Sequence, residues 1–479
     1  MVFASAGVAM LFLFDDSCQL DGGQHYLIAR WAWKHHELFV DVWSRPLFTF
    51  LYSFPALISF RAARGLTVLI CLVIGWQTWQ LAEDFKLRRA PLVIALLLLQ
   101  PSFFLFCADT MTEPVFALVF VIALRLHHSG RTVAGMIVAS LMILARPEGF
   151  FLGVLWGWWV LQPGGNLPGT VAQARRWIKS AIRNPQSAIR ILWLATGAFL
   201  WWLTALLITG DPLFIKHNWP TNWTMTGTVY GAHGLLAYPS RLPEATGLLL
   251  LPVFVYGLFR LIRRRQFKTI TSSFLLFFVL HTILHAFGLL GSAGYPRYLV
   301  AISPAIALIT LAGWNEIARL YIHVARPVRF GCAAALLAVS AWINFAYADG
   351  AEWSRDARAI NDTYAWFQTQ PDRPMITRMI WSKPYACILF DRDPWENPAF
   401  THNRESDVKL LGKMPADVLV VWDERVGPQE FGLRASDFQA AGFTLLHAQE
   451  FKLKGFILDR PWFGFGGTRQ QTIYLLRKE

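Results

Sequence analysis

Long apolar runs, separated by short charged connections, recur through residues 1–347, and this pattern restricts the chain to a bundle of helices in a bilayer. The spacing predicts spans at 1–14, 61–82, 90–106, 113–126, 131–145, 149–161, 190–209, 244–260, 270–290, 297–318 and 328–347, about eleven transmembrane helices. The runs at 113–126 and 149–161 are shorter than the roughly 20 residues that cross a membrane, so their boundaries are soft. Composition agrees, because 55% hydrophobic residues with 22 Trp, 37 Phe and only 16% charged residues exceed what a soluble core needs. From residue 348 onward the chain returns to soluble composition. There the pattern predicts a helix over Ala351 to Gln368, strands over Asp417 to Val421, Phe443 to His447 and Thr472 to Leu476, and a helix over Ala435 to Ala441. The expected fold class is an α-helical polytopic membrane protein, residues 1–347, followed by a small C-terminal α/β domain, residues 348–479.

A net charge of +13 could indicate nucleic acid, but the cations sit in alternate connections between apolar runs. Lys86, Arg88 and Arg89, then Arg125 and Arg131, Arg175 to Arg183, Arg263 to Lys268, and Arg319 to Arg329 fall on one side. The positive-inside rule puts that side in the cytoplasm and the soluble tail outside it, which points to a multi-pass protein of the plasma (inner) membrane with no nucleic-acid partner. Residues 1–14 have no basic flank and no small-residue cleavage site, so they are expected to be a retained helix. Segment 162–189, rich in Pro, Gly and cations, is expected on an anionic leaflet. Cys18, Cys71, Cys107, Cys332 and Cys387 form no CxxC pair and suggest neither a disulfide framework nor a metal knuckle.

Chemistry at a membrane surface needs polar groups gathered at helix ends. Asp21 leads, in LDGGQHYLIAR, where Gly22 and Gly23 permit close backbone approach and Gln24 to Glu37 is expected to lie in the interface as an amphipathic helix. A partly shielded carboxylate there could serve as general base; it could equally be a solvated loop acid or a helix cap. Asp15 and Asp16 end the first run and could raise one another's pKa, bind a divalent cation, or mark the water boundary. Glu113 precedes Pro114 at a helix start and is also explained as a cap. Arg146 and Glu148, in ARPEGF, form a turn whose guanidinium would suit a lipid-linked phosphate, or a simple surface ion pair. Arg297, Arg45, Lys216 and His217 lie in connections of the same side. His281 and His285 are four apart, but no HExxH motif surrounds them, so a buried hydrogen-bonding pair is expected over a metal site. Asn222-Trp-Thr224 and Asn361-Asp-Thr363 match the glycosylation sequon.

Together these segments resemble the GT-C superfamily of integral-membrane glycosyltransferases, in particular the protein-mannosyltransferase-like, aminoarabinose-transferase-like and glycosylphosphatidylinositol-mannosyltransferase members. The resemblance rests on Asp21, His25, Tyr26 and Ile28-Ala29-Arg30, on Arg45-Pro46-Leu47-Phe48, and on Thr112-Glu113-Pro114 and Arg146-Pro147-Glu148-Gly149. Gly210-Asp211-Pro212-Leu213-Phe214 and Pro296-Arg297-Tyr298-Leu299 complete it, all in the order such proteins show. It implies inverting transfer of a sugar, mannose or another, from a polyprenyl-phosphate donor to a hydroxyl of a glycan, lipid or protein acceptor of the cell envelope, on the outer membrane face. Asp21 would be the base, with Asp15 and Asp16 as rivals. His25, Tyr26, Arg45, Glu113, Arg146, Glu148, Lys216 and Arg297 would bind substrate. No cofactor and no resident metal are expected, although Asp15, Asp16 and Asp109 leave a divalent cation open. No Gly-rich phosphate loop suggests a nucleotide-sugar enzyme. A transporter or flippase of lipid-linked saccharides is the alternative, and it would place ionisable groups deep within the spans.

Overall fold

The computed structural model describes residues 20–161, 189, 191–219, 231–350, 352–370, 378–382, 384–396, 404–416, 418–457 and 464–479. Asp15, Asp16, Cys18, the expected first span, most of segment 162–189 and the sequon at Asn222 lie outside the described residues.

The apolar runs form helices, and the sequence explains their limits. Helix α1 is Leu20–Trp31, α2 is Pro46–Ile58 and α3 is Phe60–Asp84. Pro46 occupies the first turn of α2, where its missing N–H costs nothing. Helix α4, Thr112–His128, places Glu113 in its first turn and Arg125, His127 and His128 in its last, each sign complementing the helix dipole. Gly149–Leu161 is α5, and Thr196–Thr209 is α6, stopped by Gly210 at φ 71°. Leu251–Arg264 is α7, Lys268–Ala286 is α8, Ser303–Leu320 is α9 and Arg326–Gly350 is α10.

Several expected spans are broken. The run 90–106 divides at Pro101 into Leu92–Leu98 and Pro101–Phe106, and Gln100 at the break donates to the Ser303 carbonyl at 3.1 Å. The run beginning near 244 bends by 104° between Pro239–Thr246 and α7. Gly247 permits the corner, with φ 84° and no room for a Cβ, which would sit 2.7 Å from the Leu99 carbonyl oxygen. Among the described residues, four helices are long and apolar enough to cross a bilayer, Phe60–Asp84, Lys268–Ala286, Pro296–Leu320 and Arg326–Tyr347, or five with the bent pair as one span. Pro46–Ile58, Thr132–Ala145, Gly149–Leu161 and Trp193–Thr209 are shorter apolar helices. This is an integral membrane architecture, and the individual helices are shorter and more broken than hydropathy alone predicts.

One expectation needs correction. The segment from Gln24 to Glu37 is not an amphipathic helix lying on lipid. Helix α1 ends at Trp31 and buries Tyr26, Leu27, Ile28 and Ala29, with Ala32 just beyond. It is covered by the C-terminal unit, because its polar residues meet carboxylates there. Arg30 pairs with Asp391 at 3.4 Å, Lys34 with Asp393 at 2.8 Å and also with Glu396, and His35 contacts Asp393 at 2.9 Å.

The C-terminal unit has a four-stranded sheet in the order β1-β2-β4-β3, with β1 Arg378–Trp381, β2 Val418–Asp423, β3 Phe443–Ile457 and β4 Gly464–Lys478. β1 and β2 are parallel, and the other pairs are antiparallel. Residues of β2 alternate between two apolar clusters. Leu419 and Val421 face the helix Glu352–Thr369 through Ile360 and Phe367, while Val418, Val420 and Trp422 face Leu411, Leu433 and Phe438. Burial on both faces gives β2 its unbroken apolar sequence. The strand Arg378–Trp381 has no sequence signature, being four residues of mixed character.

Candidate active site

Four separate connections meet at the bundle end that carries the sheet. Asp21 enters from the first turn of α1, Glu113 from the first turn of α4, Arg146 and Glu148 from the turn before α5, and Arg297 from the 3-10 turn Pro296–Ile302 that leads into α9. A proline stands at or near the start of several of these turns (Pro114, Pro147, Pro296), which presets φ at the segment's entry.

The side chains form one connected network. Arg297 Nη2 donates to Asp21 Oδ2, and its Nε lies 3.6 Å from Glu113 Oε1. Arg146 Nη1 donates to the same Glu113 oxygen at 2.6 Å and to Thr112 Oγ1 at 3.2 Å. The other edge of Arg146 holds Glu148 by two bonds, at 2.8 and 3.3 Å. His281 of α8 lies 3.8 Å from Glu148 and stacks on Tyr298 with ring centres 4.9 Å apart. Tyr298 also receives the Arg146 guanidinium at 5.1 Å, and Tyr295 that of Arg297 at 4.7 Å. Glu113 is fully buried, whereas the Asp21 side chain is 30% exposed and so open to a substrate. The Arg297 Nη1 is buried without a hydrogen-bond partner.

Electrostatics follow from this packing. Burial pushes the Asp21 carboxyl up, but Arg297, with smaller contributions from His25 and Arg146, reverses this and holds it below its ordinary value. Burial pushes the Glu148 carboxyl up too, and Arg146 outweighs it to bring the group down to about 2. Arg146 is stabilised in its charged form by Glu148 and Glu113 against burial. Burial lowers the His25 imidazole to about 3, against the pull of Asp21, so it is neutral at pH 7. That ring stacks on Trp43 with centres 4.3 Å apart. Arg45 is buried and lowered to about 10, first by burial and then by Arg146. Its backbone has φ 73° as the residue before Pro46, a left-handed conformation that costs about 1–3 kcal/mol and is typical of functional sites.

Gly22 packs closely against the Asp109 side chain. An added Cβ would lie 2.6 Å from Asp109 Oδ1, and Thr110 Oγ1 donates to the Gly22 carbonyl at 2.7 Å. The first turn of α1 is thereby pinned against the Asp109–Thr110 connection, which fixes the place of Asp21.

Most residues singled out from the sequence come together here: Asp21, His25, Arg45, Glu113, Arg146, Glu148 and Arg297. Two do not. Tyr26 points away, its hydroxyl donating to the Ala56 carbonyl at 3.4 Å and its ring edge-on to Phe60, so it joins α1 to α2. Lys216 lines a separate groove with Trp202, Pro212, Leu213, Ile215 and Trp219. The sequence left Arg146 either as a phosphate-binding guanidinium or as an ion pair with Glu148; here it pairs with both Glu113 and Glu148, while Arg297, a candidate phosphate-site cation, pairs with Asp21 and lies near Glu113. Trp43, Tyr295 and Tyr298 were missed as site residues; the aromatic flanks of Arg297 in GYPRY were the available signal. Among the described residues no group of three or more His, Cys, Asp and Glu could hold a metal ion. His281 and His285 separate, the first toward Glu148 and the second onto the Ser292 carbonyl at 3.2 Å and the His233 ring.

No family model and no curated protein sequence matches the chain. Solved structures do. The crystal structures of ArnT from Cupriavidus metallidurans, bound to undecaprenyl phosphate and in the apo state, both match with a TM-score of 0.60 at 12% identity, covering 99% of this chain and 97% of theirs. The oligosaccharyltransferase of Archaeoglobus fulgidus, tethered to an acceptor peptide, matches with a TM-score of 0.42 at 14% identity over 89% of this chain and 66% of its own. The ArnT match runs through membrane helices and sheet alike, and at that identity it speaks for the backbone: the chain has the GT-C fold, as its motifs led us to expect.

Proposed function

We propose that the protein is a glycosyltransferase that moves a sugar from a polyprenyl-phosphate donor to an acceptor hydroxyl at the extracytoplasmic membrane surface, with Asp21 as general base. Residues 1–347 form the catalytic domain in this reading, and residues 348–479 an extracytoplasmic domain docked over it. The observation that carries it is the Asp21–Arg297 pair, in which a partly open carboxylate adjoins a guanidinium with one buried and unused donor. Inverting transfer needs a base for the acceptor hydroxyl on one face of the anomeric carbon and cations for the leaving phosphate on the other, and the cluster around this pair supplies both kinds of group.

Asp21 would take the proton of the acceptor hydroxyl as its oxygen attacks the anomeric carbon. The bond from that carbon to the donor phosphate oxygen breaks, and the electron pair leaves with the polyprenyl phosphate. Arg297 and Arg146 would stabilise the phosphate, so no strong general acid is needed. At rest Arg297 masks the base by lowering its pKa. A donor phosphate that engages the free Nη1 of Arg297 shares its charge and raises the basicity of Asp21, so that the base is unmasked only with substrate present. The ArnT structure bound to undecaprenyl phosphate supports a lipid-phosphate donor for this fold. The sugar, mannose included, and the acceptor are left to experiment.

The test is transfer of radiolabelled sugar from a panel of polyprenyl-phosphate sugars by the purified chain, comparing wild type with Asp21→Asn. We expect turnover by wild type and a loss of at least a hundredfold in the variant, measured at a temperature where both remain folded. Full activity in a folded Asp21→Asn protein would dismiss Asp21 as base. Donor movement across liposomes without transfer would favour the flippase.

A further inference from the structure

The opposite end of the bundle holds a second polar site that the transfer chemistry does not use. Helix α4 begins at the Asp21–Glu113 network and ends, about 24 Å away, with His128 against Phe85. Beside Phe85 opens a cavity of about 220 Å³ between the turn after α3, the end of α7 and the end of α9. Five cations line it, Lys86, Arg88, Arg260, Arg264 and Arg319, around one carboxylate, Glu316, for a net charge of +4.

Glu316 is shared among three of them, Arg260 at 3.2 Å, Arg264 at 3.0 Å and Arg319 at 2.8 Å. Lys86 and Arg88 have no carboxylate partner among the described residues, and Arg260 Nε is buried without a hydrogen-bond partner. The floor is made by close backbone contact of α7 and α9. A Cβ on Gly257 would lie 2.3 Å from the Ile309 carbonyl oxygen, and one on Gly313 would lie 2.1 Å from that of Val253. Two tight turns form the rim. Of the seven described non-glycine residues with positive φ, four lie in them: Lys86 at 56°, Arg89 at 57°, Arg265 at 54° and Phe267 at 47°. The Phe85 and Phe267 rings, 4.5 Å apart, lock one turn against the other. The strained turns thus hold Lys86 and Arg88, which have no carboxylate partner among the described residues, at the mouth of the cavity. Just outside the cations, Phe259, Ile262 and Leu320 stand exposed on the same helix ends, where acyl chains would lie.

We infer that this cavity binds the phosphate of an anionic phospholipid of the cytoplasmic leaflet, with the phosphate among Lys86, Arg88 and Arg260 and the acyl chains on Phe259, Ile262 and Leu320. Glu316 pairs with Arg260, Arg264 and Arg319, which leaves Lys86, Arg88 and the unused Nε of Arg260 for the ligand. The placement accords with basic pockets between helices at the cytoplasmic surface, and the site is independent of the transferase reading.

The experiment is native mass spectrometry and thermal unfolding of the full chain in nanodiscs of phosphatidylcholine with and without phosphatidylglycerol. Wild type retains phosphatidylglycerol selectively and unfolds at higher temperature in its presence. Lys86→Gln/Arg88→Gln, which leaves the Glu316 cluster intact, binds it about thirtyfold more weakly. Arg263→Gln/Arg326→Gln removes two exposed cations of the same end that do not line the cavity, and binding stays within a factor of three. Equal retention by the Lys86/Arg88 variant, equal loss in the control, or equal retention of phosphatidylcholine would each overturn the assignment. Inorganic phosphate distinguishes the source of the ligand. If it stabilises detergent-solubilised wild type as much as the lipid does, and not the Lys86/Arg88 variant, the phosphate site stands and its occupant is soluble, which overturns the lipid.

Discussion

Replacing Arg146 by Gln should break the ion pairs that hold Glu113 and Glu148 in the site network. The guanidinium is 12% exposed and binds Glu148 through two bonds, Glu113 at 2.6 Å and Thr112 at 3.2 Å. Without it, among the described residues, Glu148 keeps His281 at 3.8 Å as its charged neighbour, and Glu113 keeps Arg297 at 3.6 Å and the Thr112 hydroxyl at 3.5 Å. The Glu148 carboxyl moves from its ordinary 4.5 to about 2, which favours the charged form by about 3 kcal/mol. A folded-state pKa below the unfolded one contributes stability that is fully present above pH 4.5 and is lost as pH falls toward 2. Arg146→Gln should therefore cost about 3 kcal/mol at pH 7, in line with breaking a buried ion pair, and about half as much at pH 3. Adding Glu148→Gln should abolish most of that pH dependence, because the titrating group is gone. The assay is reversible unfolding in mixed micelles with rising SDS, followed by tryptophan fluorescence at both pH values. A loss below 1 kcal/mol at pH 7, or the same loss at both pH values, would refute the reasoning.

Other expectations follow from single contacts. Asp393→Ala removes the partner of both Lys34 and His35 and should cost about 2 kcal/mol, seen as faster proteolysis within residues 384–396. Although burial pushes Asp393 up, bonds from Lys34 and His35 hold it below its ordinary 3.8, so this docking weakens only as pH falls below that value. Gly22→Val should reduce transfer at least tenfold with little loss of global stability, since its side chain would displace Asp109 and move Asp21; wild-type kcat in that variant would show that the contact is dispensable. Gly313→Leu should prevent α7 and α9 from touching and cost about 3 kcal/mol or more, measured by the same SDS titration. His25, neutral down to about pH 3, should add no step to a pH–rate profile between pH 5 and 8, and a proton-coupled step removed by His25→Gln would contradict its burial.

Hydropathy made the membrane class legible, because apolar runs of that length have no other stable solvent. The acidic and basic turn motifs were legible too, since Asp21, Glu113, Arg146, Glu148 and Arg297 stand at helix starts where a sequence can mark them. Their order gave the GT-C resemblance, and the ArnT backbone agrees with it. Helix breaks were less visible, because Pro101 and Gly247 act through contacts with Ser303 and Leu99, far away in the chain.

Sequence by itself therefore determined the solvent, the C-terminal sheet unit and the candidate ionisable groups, all local consequences of periodicity and composition. Only tertiary structure decided which of those groups meet. Tyr26 and Lys216 looked as suitable as His25 and Arg45, and helix orientation alone turned Tyr26 toward Ala56 and put Lys216 in another groove. Asp21 and Arg297 are 276 positions apart, and nothing local makes one the partner of the other. The same holds for the docking of α1 beneath the sheet through Asp391, Asp393 and Glu396. Charge pairing across such separations depends on where the helices pack, and packing is a property of the whole bundle.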